Sequence, residues 1–305
     1  MIQIKDDQCV CKYKTAVALG LFDGVHLGHQ EVIKKAVAKK TDKIKPAVFT
    51  FDTQSITTKG ENGKLKMLIT NEDKFKILEK IGVEYVFSPP FSQFKNMTDE
   101  EFVKKILKDK LNACMVACGD DFKFGKNAMG NAQSLKTLGE KYGIETCIVK
   151  KISVADQIVS SSQIRELIEQ GYISKANQML GYNYGYTLNV QHGDARGRTW
   201  NFPTINQVIP QELVLPKFGV YCSKVTIDGK KYIGVTNIGI RPTVKINGEV
   251  LAETHIVDFS GDLYGKKLKL ELFEFVREEK KFDSFDAVKA EIGRNKQFAI
   301  DYFKW

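Results

Sequence analysis

A chain of 305 residues, 43% hydrophobic and 27% charged with only 7 prolines, has room for two ordinary domains, each with its own core, and the profile of a folded protein. No stretch approaches the roughly 18 consecutive apolar residues of a membrane span, and the start MIQIKDDQCVCKYK lacks the apolar run of a secretory leader, so a cytoplasmic protein with no membrane partner is expected. A net charge of +9 suits anionic partners without choosing one, and six cysteines without a leader read as reduced thiols, Cys9 with Cys11 and Cys114 with Cys118 making poor zinc pairs.

From Thr15 to about Lys150, short apolar runs alternate with amphipathic stretches, the pattern of β-α units around a parallel sheet. The strand candidates in chain order are TAVALG, PAVFTF, VEYVF, ACMVACG and ETCIVK. Between them, Asn71 to Ile81 reads as a helix starting at an Asn cap, and Thr98 to Lys110 as one starting at a Thr98/Glu101 capping box. After about Tyr182 the period changes. KLKLELFEF alternates Leu268, Leu270 and Leu272 with charged residues, and Asp228-Gly229 between KVTI and KKYIGV reads as a hairpin turn. A last helix from about Asp283 carries Phe285, Val288, Ile292, Ala299 and Phe303 at helical spacing. The expected architecture is a Rossmann-like parallel α/β domain, residues 1–182, followed by a small antiparallel β-barrel with a C-terminal helix, residues 183–305.

GLFDGVHLGHQEVI leads from a strand through Gly20 and Gly24 into a helix, so backbone and helix start face whatever binds there, and phosphate is the natural guest. His26 and His29, with Gly28 between them, fall on that side and can donate to phosphate oxygens. Two structural histidines or a zinc pair would give the same short motif. GDDFKFG, with Gly130 beyond it, follows an apolar run, where parallel sheets place ligand loops. VSSSQIRELI offers Ser160, Ser161 and Ser162 as caps and anion donors, with Arg165 one turn later. Two imidazoles and an arginine suit adenylyl transfer, in which a phosphate attacks the α-phosphorus of ATP and the site orients it while steadying the leaving pyrophosphate.

Together these segments resemble the nucleotidyltransferases with an H-x-G-H signature, and the wording G-x-F-D-G-V-H-x-G-H, G-x-D-F-x-F-G and S-S-x-x-I-R resembles their FAD synthetase branch. The resemblance implies that Gly20, Phe22, Asp23, His26, Gly28 and His29 line an ATP site, that Asp121 sits near nucleotide or flavin, and that Ser161, Ser162 and Arg165 hold phosphates. Thr53, where the family more often has Pro, and Ser162, where Thr is usual, are departures.

In the second half, GDARGRTWNFPTIN carries a basic glycine-bearing loop and then Thr204 and Asn206, two residues apart on an extended segment and so on one face. Such oxygens suit Mg²⁺, which completes its shell with nucleotide phosphates and water. AETHIVDFSGDLYG supplies Glu253 as a base for a hydroxyl nucleophile, although a strand glutamate is ordinarily a solvated face. PTIN, NIGIRPT, ETH-x-x-D-F with DLYG, and FVREEKKFDS, in that order, resemble the riboflavin kinase module. The resemblance implies Glu253 as general base, Thr204 and Asn206 as Mg²⁺-ATP ligands, Gly193, Gly197 and Arg198 in a phosphate-covering loop, and Arg277 beside the flavin. Trp200-Asn201 departs from the common Leu-Gly, and Asn295 stands where Asp is frequent.

Over nearly the whole chain the pattern resembles the bacterial bifunctional riboflavin kinase/FAD synthetase family. That implies riboflavin, FMN, FAD and ATP as ligands and Mg²⁺ as cofactor. An enzyme retaining one of the two activities is the nearest alternative; a nucleic-acid binder is disfavoured because the lysines scatter over helices such as VIKKAVAKK instead of forming a stripe with aromatics. The sequence leaves a homo-oligomer open.

Overall fold

The computed structural model describes residues 1–4, 11–52, 66–191, 204–240 and 248–304, and of Phe285 only the backbone. The chain divides into two compact units, Met1–Ser161 and Ser162–Trp305.

In the first unit the elements are β1 (Ile2–Ile4), β2 (Lys14–Leu19), α1 (Leu27–Val37), β3 (Ile44–Phe49), α2 (Asn71–Ile81), β4 (Tyr85–Phe87), α3 (α-helical over Asp99–Glu101, π-helical over Phe102–Lys110), β5 (Ala113–Gly119), the short pair β6 (Lys123–Phe124) and β7 (Gly130–Asn131), α4 (Ala132–Lys141), β8 (Glu145–Val149) and the short pair β9 (Ser153–Val154) and β10 (Gln157–Ile158). One six-stranded sheet runs in the order β1-β4-β3-β2-β5-β8, every pairing parallel. All five strand candidates fall in it; β1, three residues long, was too short to show a pattern. Residues 15–19 of β2 are buried without alternation, because helices cover both faces of a parallel sheet. Val17, Leu19, Phe49 and Leu107 pack on one face, and Ala16, Ala18, Ile33 and Leu78 on the other. Each fully buried Leu or Ile among them contributes about 1.5–3 kcal/mol by leaving water. Because β3 and β5 flank β2 on opposite sides, a crevice opens at the carboxyl ends of the strands, where such sheets bind ligands.

Two helix starts differ in detail from expectation. Thr70, not Asn71, caps α2: its hydroxyl accepts from Asp73 N at 3.1 Å, while the Asn71 amide donates to Asp52 Oδ1 at 2.8 Å. The Thr98/Glu101 capping box forms as read, with Thr98 Oγ1 accepting from Glu101 N at 3.1 Å and Glu101 Oε2 from Thr98 N at 3.0 Å. Beyond it the helix widens into π geometry and ends with Leu111 N donating to Ile106 O at 2.8 Å. Buried Phe102, Ile106 and Lys110, and beside them Val103 and Leu107, recur every fourth residue, a spacing between the 3.6-residue α turn and the wider π turn.

Helix α5 (Ser161–Glu169) leads to α6 (Ile173–Leu180), and then come β11 (Gly185–Asn189), β12 (Thr204–Val208), β13 (Gly219–Ile227), β14 (Lys230–Ile240), β15 (Val250–Ile256), β16 (Lys267–Arg277) and α7 (Phe285–Lys304). Asn177 of α6 donates to Leu272 O at 3.0 Å and accepts from Tyr184 N at 2.7 Å, stitching that helix to β16 inside the second unit. The six strands are antiparallel in the order β11-β16-β13-β14-β15-β12, and a Gln191↔Asn206 bridge brings the last edge back to the first, giving a nearly closed barrel. Closure removes the unpaired edges an open sheet would expose. Asp228 and Gly229, at φ 48° and 80°, make the expected hairpin turn, whose two positive φ values match the strand twist. Leu268, Leu270 and Leu272 point inward as their alternation predicts, and Thr236 Oγ1 lies 2.8 Å from both Ser223 Oγ and Thr254 Oγ1 in a buried hydroxyl chain.

Helix α7 corrects the expected apolar stripe. Of the five residues predicted to pack, Ala299 is fully buried and Phe303 meets Phe273 edge to face at 4.8 Å, while the most buried remaining positions are polar Glu291 and Asn295. Both face Arg277: its Nε lies 2.9 Å from Glu291 Oε1 and donates to Asn295 Oδ1 at 3.3 Å. Among the described residues, no helix is long and apolar enough to cross a membrane.

Candidate active sites

After β2 the chain turns through three left-handed residues, Phe22 at φ 52°, Gly24 at φ 78° and Val25 at φ 38°. For a β-branched residue this conformation costs about 1–2 kcal/mol and persists only where surroundings impose it. Here they do. Phe22 and Val25 are buried in the core, Asp23 Oδ1 accepts from Leu68 N at 2.9 Å, Ser161 Oγ donates to Asp23 O at 3.0 Å, and Gln30 Nε2 donates to Val25 O at 3.0 Å. Ser161 thus ties this turn in place.

The turn delivers both histidines at the start of α1. His26 is the N-cap, its Nδ1 accepting from His29 N at 3.3 Å, so the ring proton sits on Nε2. The two rings stack at 3.5 Å between centroids, and Gly28 leaves space for them, since a Cβ there would come within 3.3 Å of the His26 ring. His29 is half-buried, with Nδ1 sealed from solvent and, among the described residues, without a hydrogen-bond partner. An N–H there would be left unsatisfied at greater cost than a lone pair, which also puts this ring's proton on Nε2. Burial first, then His26 and then Lys74, hold the His29 imidazole well below its usual range. The site therefore presents a neutral His29 imidazole stacked on that of His26.

They line a cleft of about 1010 Å³ together with Gly20, Phe22, Gly28, Asp121 and Ser161. Asp121 pairs with Lys151 at 3.0 Å and stays largely exposed at the rim. The lining also holds an aromatic cluster: Phe49 meets Phe51, Phe94 and Phe102 edge to face at 5.3, 5.5 and 5.1 Å. A cleft lined by both hydrogen-bond donors and aromatic rings suits a ligand that carries both anionic groups and a flat ring. Ser162 and Arg165 lie on α5, exposed and half-buried, within the second compact unit.

On the barrel, Thr204 and Asn206 share one half-buried face of β12 while Ile205 and Gln207 point inward. Glu253 stands directly opposite Asn206 in register, and Thr204 Oγ1 donates to Glu253 Oε1 at 2.8 Å. Thr204, Asn206 and Glu253, the first and last 49 residues apart in sequence, thus converge on one patch through strand pairing. On the other side of Glu253, Asn237 is its partner in β14 and donates to Glu279 Oε1 at 3.0 Å. Arg277 is engaged with Glu291, Asn295 and, through Nη1 at 2.8 Å, Glu278 O. Gly193, Gly197, Arg198, Thr53 and Trp200-Asn201 lie outside the described residues.

The comparisons with known proteins agree with this division. A family model described as FAD synthetase matches residues 9–163, and one described as riboflavin kinase matches residues 180–303. The chain is 35% identical to a bifunctional riboflavin kinase/FMN adenylyltransferase of Listeria monocytogenes over 94% of its length and 92% of that protein's. It is 35% identical to that of Bacillus subtilis over 98% and 95%. The chain belongs to the bifunctional riboflavin kinase/FMN adenylyltransferase family. It is an enzyme of flavin cofactor biosynthesis. The crystal structure of a protein described as a macrolide-efflux protein from Streptococcus pneumoniae shares 98% of both chains at a TM-score of 0.86 and 30% identity. Within this bifunctional family's frame, the FAD synthetase match contains the whole cleft lining, and the riboflavin kinase match contains Thr204, Asn206, Glu253 and Arg277. As ATP-using kinases and nucleotidyltransferases generally do, the enzyme needs a divalent metal.

Sequence reasoning missed the aromatic wall, although FTF, PFSQF and DFKF give it in three places. It also missed Lys74 and Asn237. A lysine in an amphipathic helix reads as solvated, yet Lys74 is fully buried; Asn237 gains its place only from register.

Proposed function

We propose that residues 1–182 adenylylate FMN to FAD and that residues 183–305 phosphorylate riboflavin to FMN, both in the cytoplasm. The observation that carries the reading is the convergence of two separate polar clusters, one in a cleft with an aromatic wall and one on an exposed strand face.

In the cleft, the flat isoalloxazine takes the aromatic wall and the phosphates take the end lined by α1. A phosphate oxygen of FMN attacks the α-phosphorus of ATP and the bond to the β-phosphate oxygen breaks. His26 and His29 donate from Nε2 to phosphate oxygens, and pyrophosphate leaves with the electron pair. Gly20, Phe22, Asp23 and Gly28 shape that end, and Asp121 sits at its rim. Ser161, Ser162 and Arg165 hold phosphates by the family resemblance.

On the barrel, the ribityl hydroxyl attacks the γ-phosphorus, its proton passes to Glu253, and ADP leaves. The hydroxyl of Thr204 and the side chain of Asn206, hard oxygen donors beside a carboxylate, fit Mg²⁺ better than a softer metal. When bound with ATP, the ion offsets phosphate charge. Gly193, Gly197 and Arg198 cover the phosphates by resemblance. Arg277 is read as bracing α7 beside the flavin segment, since its guanidinium is taken up by protein partners. Many lysines sit in scattered helix pairs such as Lys76 with Glu72 and Lys105 with Glu101, which supports a role without nucleic acid.

Labelled ATP tests the reading. Label at the γ-phosphate should appear in FMN and label at the α-phosphate in FAD; γ-label absent from FMN, or α-label absent from FAD, contradicts the respective half.

A further inference from the structure

Strand pairing sets a polar row across one face of the barrel: Asn206 of β12, Glu253 of β15 and Asn237 of β14, each directly opposite the next in register. Residues paired in this way carry their side chains on the same face, with Cβ atoms about 4.5–5.5 Å apart. The two flanks of Glu253 differ. On the β12 side the Thr204 hydroxyl donates to Glu253 Oε1 at 2.8 Å. On the β14 side Asn237 donates from its side-chain amide to a second carboxylate, Glu279 Oε1, at 3.0 Å.

Glu279 belongs to the segment that follows β16, and its neighbours there are tied elsewhere. Arg277 is held by Glu291 and Asn295, Glu278 by Lys217 at 2.7 Å, and Lys280 lies 3.9 Å from Glu291. Glu279, between these anchors, reaches over β14 instead. Its carboxylate settles above Gly239, two residues along the strand from Asn237, where a Cβ would overlap Glu279 Oε1. Glycine at that position leaves the carboxylate its seat. An ionised carboxylate offers about four lone-pair positions, of which the Asn237 amide takes one. Hydroxyl groups are natural donors to the rest.

In the reading of the barrel given above, the hydroxyl to be phosphorylated lies between Glu253 and the γ-phosphate. Metal and nucleotide take the Thr204–Asn206 flank, so the remainder of the acceptor chain extends along the other, one strand spacing of about 4.7–4.9 Å away. Behind its terminal hydroxyl the ribityl chain carries secondary hydroxyls, and these fall where Asn237 and Glu279 stand. We infer that Glu279 and Asn237 are specificity-determining residues of riboflavin phosphorylation: the carboxylate, seated over Gly239 and held by the Asn237 amide, accepts from the secondary hydroxyls and so selects a polyol chain over an alkyl one. The inference rests on the proposed kinase reading of this face.

The test compares two substrates of the full-length enzyme with ATP and Mg²⁺: riboflavin, and an isoalloxazine bearing an ω-hydroxypentyl chain, which keeps the terminal hydroxyl and lacks the secondary ones. In the wild type, kcat/KM should be about 10–100-fold higher for riboflavin, the usual effect of a hydrogen bond to a charged group. Glu279→Gln keeps the size of the side chain and removes the charge. It should lower the riboflavin value far more than that of the analogue, so that their ratio falls towards one. Asn237→Ala, which frees the carboxylate, and Gly239→Ala, which displaces it, should narrow the ratio in the same direction. A wild type that uses both flavins alike overturns the inference before any variant is made. An equal fall for both flavins in the variants, the mark of a merely structural role, also overturns it. If the wild type makes no FMN from riboflavin, the reading of the barrel fails instead. Riboflavin binding, followed by quenching of its fluorescence, then still compares the wild type with Glu279→Gln, and an unchanged affinity overturns the inference.

Discussion

In the cleft, functional groups come from loops at the ends of parallel strands and are set by burial; on the barrel, they come from the strands and are set by register. His26 and His29 are fixed by a left-handed turn, a cap and a ring stack. Thr204, Asn206 and Glu253 need only the β12–β15 pairing, and a single 2.8 Å hydrogen bond joins the first to the last. The first arrangement is preorganised before substrate arrives. The second stands open, and in the proposed reading metal-bound nucleotide would complete it. A site of the first kind should be sensitive to changes behind it, and one of the second kind to changes in the residues themselves.

The largest separation of the two should come from Glu253→Gln. Riboflavin phosphorylation should fall about 10²–10⁴-fold, the usual contribution of a general base, with FMN adenylylation nearly intact. Equal loss of both, measured in parallel assays, would mean that the sites are not independent. His29→Ala is the mirror experiment: adenylylation should fall about 10²–10³-fold, as for loss of one preorganised donor, and phosphorylation should persist. Unchanged FAD formation would remove His29 from the site.

Smaller effects sharpen the contrast. Thr204→Val removes both the proposed metal ligand and the hydrogen bond to a carboxylate, a bond of about 1.5–3 kcal/mol, so kinase kcat/KM should drop roughly 10–100-fold and saturation with Mg²⁺ should require more metal. A fall in rate with an unchanged metal dependence would leave Thr204 as a partner of Glu253 only. Gly24→Ala forces a side chain into a φ of 78° and should destabilise the first unit by about 1–2 kcal/mol, seen as a Tm lower by about 2–4 °C per kcal/mol. The barrel has no part in that turn, and its activity should survive at moderate temperature.

The same contrast governs what could be read from the sequence. Strands 15–19 and 113–119 announced the parallel sheet because burial on both faces leaves an unbroken apolar run, and Leu268, Leu270 and Leu272 announced the barrel because one face is wet. His26 and His29 were legible because four consecutive residues hold them, and Thr204 and Asn206 because extended chain has a period of two. The burial of Lys74 was not, since a lysine in an amphipathic helix ordinarily reaches solvent. Glu291 and Asn295 were not read as buried for a related reason: their spacing places them beside the apolar stripe, but their polar side chains suggest solvent, and only the Arg277 guanidinium arriving from β16 makes their burial tolerable. The change from Asn71 to Thr70 as cap is a single-residue matter of which oxygen reaches Asp73 N.

The central claim, two independent active sites on one chain, is tested most directly by chromatography of the flavins formed from riboflavin and, in parallel, from FMN, with ATP and Mg²⁺, by the wild type, Glu253→Gln and His29→Ala. The account predicts FMN then FAD from the wild type, FAD only from added FMN with Glu253→Gln, and FMN alone from riboflavin with His29→Ala. Loss of both products in either variant, or FAD from riboflavin at the wild-type rate in both, would contradict it.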